Sequence, residues 1–380
     1  MPIARLARLL CLSLALGTLF LALGCSSTGR TGAKRDLLIA SEDAVAMGYR
    51  IGWATNLAVP RQNHIQSITH LGDRLIVIEE PNSLVRSVSA TDGTIQWTTQ
   101  IGDPLETLLG AYQIDDTIYV LTDEKVWNLR PATGEVEAGE VLDHKAIARA
   151  ASIDNLIAVG AVNGRVFGFN PVLGFAQWEY GMVTAIAAPI VAAEPYVFAG
   201  DTAGAYAMID ARNGQLRWRG RTFGPIMASA AIDRLAAYIP STDRSLYAVD
   251  VNSGEDRWIY RATHPLRRPP VVLGLTVYQP IDEVGLLAIG VSDGAEQWRH
   301  PDPLTALTSD DQTLLAYDAS GLRRLSVADG SVVASAGTET LQEAIMLDDG
   351  TLLLVSPAGR LLALNPLNPT TPGAGVARAN

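Results

Sequence analysis

Cysteine is nearly absent from this chain, which has only Cys11 and Cys25 among its 380 residues. Charged residues are also scarce, at 18%, and aromatic residues make up 6%. The scarcity of cysteine excludes a disulfide-rich fold and a cysteine-rich metal site. With 48% hydrophobic residues, the chain still has ample material for a large core and is too apolar for a disordered protein. Its stability must therefore come from packing.

Recognisable catalytic motifs are missing as well. No candidate for a cysteine nucleophile remains in the mature chain, and none of the five histidines has the spacing of a metal site. The sequence therefore predicts no catalytic residue, no metal ligand and no cofactor. Residues from distant parts of the chain could still meet in space, so an enzyme remains an alternative.

The first 24 residues have the features of a signal peptide. Arg5 and Arg8 precede an uncharged apolar run, Leu9–Leu23. This run is shorter than a typical transmembrane helix. The Ala-Leu-Gly-Cys that ends at Cys25 resembles a bacterial lipobox, although Leu23 stands where a small residue is usual. We therefore expect Cys25 to be acylated and to anchor the protein, the alternative being a plain secretory signal followed by a chance cysteine.

Cleavage before Cys25 would leave 27 basic and 40 acidic residues. Ser26 follows the cysteine instead of Asp, which favours the periplasmic face of the outer membrane as the location. The acidic balance argues against nucleic acid as a partner. We expect residues 25–48 to be the acylated cysteine and a flexible tether, with a short helix near 37–47, and residues 367–380 to be a disordered tail.

Between these ends a unit of about 40 residues recurs. Its clearest copy is Ser245–Trp258, in which an alternating strand leads into a glycine turn and a second strand carries a tryptophan four residues after the glycine. The turn glycines are Gly93, Gly134, Gly174, Gly214, Gly254, Gly294 and Gly330. The tryptophans are Trp97, Trp178, Trp218, Trp258 and Trp298, with Ala138 and Ala334 in the two remaining copies.

The repeat predicts a closed β-propeller. Upstream hairpin signals such as Asp348-Asp349-Gly350 bring each unit to four short strands, which make one blade. An eighth copy, Arg360–Leu364, has no strand after it and has Pro369 at the glycine position, whereas Trp53 has no strand before it. Joining these segments gives an all-β propeller of eight antiparallel blades over residues 49–366, closed by its N- and C-terminal segments.

The repeat Ala-(Leu/Val/Ile)-Asp-x-x-x-Gly-x-x-x-Trp, as in Ala248–Trp258, resembles the tryptophan-docking repeat of PQQ-type propellers. Two branches of that family are possible. Quinoprotein dehydrogenases are large enzymes that hold a quinone and Ca²⁺ on the axis, and many have an adjacent cysteine pair that is missing here. BamB-type outer-membrane assembly factors are lipoproteins of about this length, and the predicted lipobox favours this branch.

The remaining candidate residues divide into structural and binding ones. The recurrence of the tryptophans indicates packing between blades, and Asp210 and Asp250 most simply bond their own turns rather than a metal. Leu266, Arg267 and Arg268, in a proline-braced loop, resemble the Leu- and Arg-bearing loop through which BamB-type proteins dock. An ordinary solvated loop is the alternative.

We therefore expect a non-catalytic scaffold that binds proteins, with the β-barrel assembly machinery as the partner and this chain as a monomeric subunit of a hetero-complex. The alternatives are a propeller that binds a quinone or another ligand, as an enzyme or sensor, and a generic envelope scaffold.

Overall fold

The computed structural model of the protein describes residues 37–103 and 105–368. One short helix, α1 (Ser41–Ala46), precedes 32 strands. The first half of the strands, in chain order, is β1 (Tyr49–Asn56), β2 (His64–Leu71), β3 (Arg74–Glu80), β4 (Leu84–Ser89), β5 (Ile95–Gln100), β6 (Leu108–Ile114), β7 (Thr117–Thr122), β8 (Lys125–Leu129), β9 (Val136–Val141), β10 (Ala151–Ile153), β11 (Leu156–Gly160), β12 (Arg165–Asn170), β13 (Phe175–Gly181), β14 (Val191–Ala193), β15 (Tyr196–Gly200) and β16 (Ala205–Asp210).

The second half is β17 (Leu216–Arg221), β18 (Ala231–Ile232), β19 (Ala236–Ser241), β20 (Ser245–Asp250), β21 (Asp256–Arg261), β22 (Val271–Leu273), β23 (Thr276–Ile281), β24 (Gly285–Gly290), β25 (Glu296–His300), β26 (Thr305–Ser309), β27 (Thr313–Asp318), β28 (Gly321–Ser326), β29 (Val332–Gly337), β30 (Glu343–Met346), β31 (Leu352–Val355) and β32 (Arg360–Pro366).

These strands form eight four-stranded antiparallel sheets, which confirms the predicted propeller. Blades 1 to 7 take four consecutive strands each, from β2–β5 to β26–β29. Blade 8 consists of β30, β31 and β32 with β1 at its outer edge. The first strand of each blade lies innermost, since first strands of successive blades contact one another.

Burial follows this order of strands. Second and third strands such as β11 and β24 are buried along their whole length, because each blade is covered on both faces by its neighbours. Outer strands are mostly exposed, and in β5 only Trp97 is buried.

The ring is closed as predicted. In blade 8, β1 pairs antiparallel with β32, which places Tyr49 opposite Pro366 and Asn56 opposite Arg360. The two ends of the repeat thus complete one sheet, so that neither terminal segment leaves an open edge in that blade.

We call the boundary between two consecutive blades a seam, and six of the eight seams are held by a tryptophan. In each of them the indole Nε1 of one blade donates to the backbone carbonyl three residues before the turn glycine of the next blade. These bonds are Trp53 to Ala90 (2.8 Å), Trp97 to Pro131 (2.7 Å), Trp178 to Ala211 (2.6 Å), Trp218 to Val251 (2.9 Å), Trp258 to Val291 (2.9 Å) and Trp298 to Val327 (2.7 Å). The tryptophans therefore pack and fasten the blades, as the repeat indicates.

The turn glycines are required for two reasons. All seven have φ between +69° and +77°, a region that side chains disfavour. A Cβ on Gly134 would also lie 2.4 Å from the ring of Trp97. Gly174 differs, because its Cβ would meet the carboxylate of Glu140, at 3.2 Å, and no tryptophan.

The segment 37–48 corrects the predicted tether. The expected helix is present as α1, but Leu38, Ile39 and Met47 are buried and belong to the core between blades 7 and 8. The backbone carbonyl of Leu38 accepts a bond from Glu339 (2.9 Å). The apolar residues of this short segment pack against the hydrophobic core between blades 7 and 8. The prediction of a flexible tether is therefore wrong for residues 37–48.

This segment covers seam 7–8, where Ala334 replaces the tryptophan. Helix α1 contacts both β29 of blade 7 and β1 of blade 8. The guanidinium of Arg324 donates to the carbonyl of Met47 (2.7 Å). The N-terminal segment thus fills the place that an indole fills in six other seams.

Several predictions concern residues outside the described ranges: the signal peptide 1–24, Cys25, the tether up to residue 36, Pro369 and the tail from 369 onward. Leu367, the start of the predicted tail, is described and donates to the carbonyl of Gly48 (2.9 Å). In the described ranges no helix is long and apolar enough to cross a membrane.

Candidate partner-binding surface

The ring has two faces with different loops. The crossover face carries the turns between second and third strands and the segments that lead from one blade to the next. The turn face carries the hairpins between first and second strands and the glycine turns. Seven of the eight hairpins between first and second strands contain an Asp or Glu, so the turn face is acidic.

The structure corrects the predicted docking loop at Leu266. This side chain is fully buried between blades 5 and 6, and its backbone N–H donates to Ser241 (3.2 Å). Ile186 and Ile226 occupy the same place 80 and 40 residues earlier and are also buried. Leu266 is therefore a repeated core residue, which a partner cannot reach without opening the seam.

Arg268 also has an internal role. Its half-buried guanidinium donates to the carbonyl of Pro303 and the hydroxyl of Thr305 and lies 3.7 Å from the carboxylate of Asp282. These groups belong to blades 6 and 7 and to the segment between them. Arg268 thus stabilises the ring near its axis, and of the three predicted docking residues only Arg267 is exposed.

Arg267 is one of five exposed arginines on the crossover face of blades 3 to 6. None of the five has a carboxylate within 4 Å in the described part of the chain. They are Arg165, Arg221, Arg244, Arg261 and Arg267. The exposed acids Asp282 and Glu283 border this group on blade 6.

Aspartates on the same face do not pair with these arginines. Their carboxylates accept hydrogen bonds from the crossover loops. Asp201 is fully buried and accepts bonds from four backbone N–H groups, including those of Val183 and Ala203. Burial disfavours ionised Asp243, but hydrogen bonds from Tyr247, Ser245 and the backbone of Phe223 outweigh it and lower the pKa of that carboxyl. The Asp243 carboxylate therefore stays negative at neutral pH, and the hydrogen bonds of both aspartates fix the crossover loops in place.

Large apolar side chains are exposed beside the arginines. Phe223 is 85% exposed and Val183 69%, at equivalent places in successive crossovers. Met227, at 42%, lies in the same crossover segment as Phe223, and Val162, at 51%, lies in the turn between β11 and β12. We call these four residues and the five arginines the crossover patch. Exposed apolar groups mixed with arginine are typical of surfaces that bind proteins.

Sequence reasoning missed most of the crossover patch. Its residues are distant in the chain and meet only because consecutive blades are neighbours. A signal existed for Leu266, because the 40-residue register with Ile186 and Ile226 marks it as core. Phe223, an aromatic in the Arg-Thr-Phe-Gly-Pro loop, was the other signal.

The axial channel offers a second concave site, with a cavity of about 800 Å³ lined by the inner strands of blades 4 to 8. Its polar side chains include Arg268, Thr305, Tyr317 and Glu343. Burial raises the pKa of Glu343, and the positive charge of Arg149 opposes the shift.

The channel does not fit a bound quinone with Ca²⁺. The carboxylates that line the cavity, Glu194 and Glu343, lie at opposite ends of inner strands and cannot coordinate one ion together. In the ranges 37–103 and 105–368 no three His, Cys, Asp or Glu residues are grouped to hold a metal.

The recurring aspartates have the structural role that the sequence predicts. The carboxylate of Asp250 accepts bonds from the N–H groups of Asn252 and Ser253 (both 3.0 Å), and that of Asp210 accepts one from Arg212. The backbone bond from Ser253 is the main reason that the pKa of Asp250 is lowered.

Comparison with known proteins places the chain by family and fold. The model of a family described as "Outer membrane protein assembly factor BamB" matches residues 27–167 and 162–306. The crystal structure of BamB from Moraxella catarrhalis is 19% identical with a TM-score of 0.66, over 82% of this chain and 97% of that one. No curated protein matches the chain.

A second solved structure, that of the computationally designed Ika8 protein, is 13% identical with a TM-score of 0.68, over 83% of this chain and 99% of that one. At these identities both structural matches show the fold alone.

Proposed function

This chain belongs to the family of the outer membrane protein assembly factor BamB, and on that premise we propose that it is a non-catalytic, protein-binding scaffold that helps β-barrel proteins assemble. The partner is a subunit of the β-barrel assembly machinery, and it docks on the crossover patch. The observation that carries this proposal is the crossover patch itself, where an exposed Phe223 lies among unpaired arginines on an acidic protein.

The charges of the ring favour a partner with an acidic, apolar surface. Five arginines without carboxylate partners lie on one face, while the opposite face carries the acidic hairpins. Such a distribution orients an approaching acidic partner toward the crossover face. Arginine and phenylalanine then supply hydrogen bonds and apolar contact area at the centre of the interface.

The test of the proposal is co-purification from native membranes with the full chain as bait. We expect Arg244→Glu with Arg267→Glu to weaken binding of the barrel-assembly subunit about thirtyfold, since one hot-spot arginine is worth about 2 kcal/mol. Phe223→Ala should weaken it to a similar degree. Because all three side chains are exposed, the free energy of unfolding should change by less than about 0.5 kcal/mol per substitution.

The matched control is Arg50→Glu with Arg61→Glu, two exposed arginines outside the crossover patch that also have no carboxylate partner among the described residues. This variant should retain wild-type binding. Equal losses in both double variants would show a general charge effect and no docking at the patch. Recovery of envelope proteins unrelated to barrel assembly would favour the generic scaffold.

The anchor is a separate part of the proposal. We propose that Cys25 is acylated and holds the propeller at the periplasmic face of the outer membrane. Cys25→Ser should leave the propeller folded and release it from the membrane fraction. A wild-type protein that incorporates no labelled fatty acid would reject the anchor and leave the docking proposal intact.

A further inference from the structure

Among the described residues, seam 2–3 is the only seam whose tryptophan position is filled neither by an indole nor by the N-terminal segment. Six seams contain a tryptophan, and residues 38–47 cover seam 7–8. At seam 2–3 the tryptophan position is Ala138, which is exposed, as is the next residue, Gly139. Strand β9, to which both belong, buries no side chain fully.

The acceptor side of the tryptophan site is nevertheless retained. Gly174 keeps the same turn conformation, with φ +77°. Pro171, three residues before it, corresponds to the residues whose carbonyls accept the indole bond in the six other seams, and within the described ranges no donor reaches its carbonyl. The atoms nearest to a Cβ built on Gly174 belong to the flexible side chain of Glu140. We call this position the vacant indole site.

The turn that borders the vacant indole site is apolar, unlike the others. Val172 is 66% exposed, Leu173 54% and Phe175 52%. In the six other glycine turns the same three positions hold only polar residues and alanine. An apolar turn thus occurs at the same seam as the missing tryptophan, and two independent features point to an external side chain.

The occupant must come from another chain. All seven tryptophans lie in the described ranges, and the only aromatic residue outside them is Phe20 in the predicted signal peptide. The charge beside the site is negative, because Glu140 is exposed and has no cationic partner in the part of the chain that the structure describes. An aromatic residue flanked by Arg or Lys therefore complements the site.

We propose that the vacant indole site binds an aromatic side chain, tryptophan above all, from a basic extended segment of a partner protein. The ring packs on Gly174, its N–H donates to the carbonyl of Pro171, and the flanking cation pairs with Glu140. Leu173 and Phe175 cover the exposed edge of the ring. This second surface is separate from the crossover patch, since it lies at the outer rim of blades 2 and 3.

The probe for this proposal is taken from the chain itself. The labelled peptide of residues 216–222, Leu-Arg-Trp-Arg-Gly-Arg-Thr, is an outer strand whose tryptophan is flanked by arginines. We expect it to bind the purified wild-type protein in fluorescence anisotropy, and the same peptide with Trp218→Ala to bind about thirtyfold more weakly, the effect of a hot-spot residue.

Two protein variants locate the binding. Ala138→Trp restores the repeat, fills the site from within and should abolish peptide binding. Leu173→Ser with Phe175→Ser should weaken it about tenfold or more. The matched control, Leu235→Ser with Leu275→Ser, changes two exposed leucines on the same face at other blades and should bind as wild type does.

Several results would overturn the proposal. They are a wild-type protein that does not bind the peptide, an Ala138→Trp variant that folds and binds as well as wild type, and equal losses in the two serine variants. If the wild-type protein self-associates and the Ala138→Trp variant does not, the occupant of the site is a second copy of this chain instead. The Arg244→Glu, Arg267→Glu variant should keep full peptide binding, which separates this proposal from the proposed function.

Discussion

Seams 2–3 and 7–8 both have alanine where the other six seams have tryptophan, but the described residues 37–103 and 105–368 cover only one of them. At seam 7–8 the residues before the first strand fold back, and Leu38, Ile39 and Met47 become core. At seam 2–3 the alanine stays exposed and the neighbouring turn presents apolar side chains to solvent. The same loss in the repeat thus leads to an internal replacement in one case and to an open site in the other.

The difference shows which part of a repeat unit is needed for the ring itself. The inner core of seam 2–3 is complete without an indole, because Tyr112, Phe167 and Phe169 pack deep between blades 2 and 3. The tryptophan at the outer rim of a seam can therefore be lost where aromatic side chains fill the inner part of that seam. The core of seam 7–8 has only tyrosines as aromatic residues in its described part, Tyr49 and the partly buried Tyr317, and it gains leucine and methionine from the N-terminal segment.

The largest effect is expected at seam 7–8. Leu38→Ala with Met47→Ala removes two buried side chains of the N-terminal segment, and truncations of this kind cost about 2–5 kcal/mol each. We expect the free energy of unfolding by urea to fall by about 4 kcal/mol or more.

The matched control changes two exposed residues of α1, in the same N-terminal segment, Glu42→Ala with Val45→Ala. It should alter the free energy of unfolding by less than about 1 kcal/mol in total. If the two double variants have the same free energy of unfolding, the N-terminal segment does not stabilise seam 7–8, and that seam resembles seam 2–3.

A smaller effect separates the two kinds of seam through their turn glycines. Gly134→Ala and Gly174→Ala introduce the same strain, about 1–2 kcal/mol for a side chain in the left-handed region. Only at Gly134 does the new Cβ meet a fastened indole, that of Trp97, at 2.4 Å. We expect Gly134→Ala to be less stable than Gly174→Ala by about 2 kcal/mol, which is typical of overpacking.

Urea unfolding of the two glycine variants side by side measures this difference. Equal losses of stability would mean that the glycines serve the backbone conformation alone and that the indoles shift without cost. A larger loss at Gly174 would contradict the vacant indole site, because it would show that another group packs closely there.

The sequence predicts the ring well because the repeat is periodic. Spacing of glycine and tryptophan gives the number of blades, and the unpaired Trp53 gives the closure that β1 and β32 form. A 40-residue period can only report what occurs in most blades. The packed segment 37–48 occurs once, so no period marks it, and its few apolar residues are compatible with a tether until a hydrophobic site on the ring is known.

The candidate surface was predictable only in part, for a related reason. Arg267 is a local feature of its loop, and it is exposed as expected. Leu266 is buried against expectation, because its burial follows from the 40-residue register with Ile186 and Ile226 and not from the residues of its own loop. Phe223, Arg244 and Arg165 share the crossover face because consecutive blades pack side by side, an arrangement that no local sequence pattern encodes.

The pairing of β1 with β32 also determines when the protein can finish folding. Asn56 comes early in the chain, but its partner Arg360 is 304 residues further along. Until that strand arrives, β1 has an unpaired edge and the ring is an open arc whose two ends expose hydrogen-bonding groups. Open edges of this kind recruit other chains, so the protein is most prone to aggregation in the interval before its last strand is delivered.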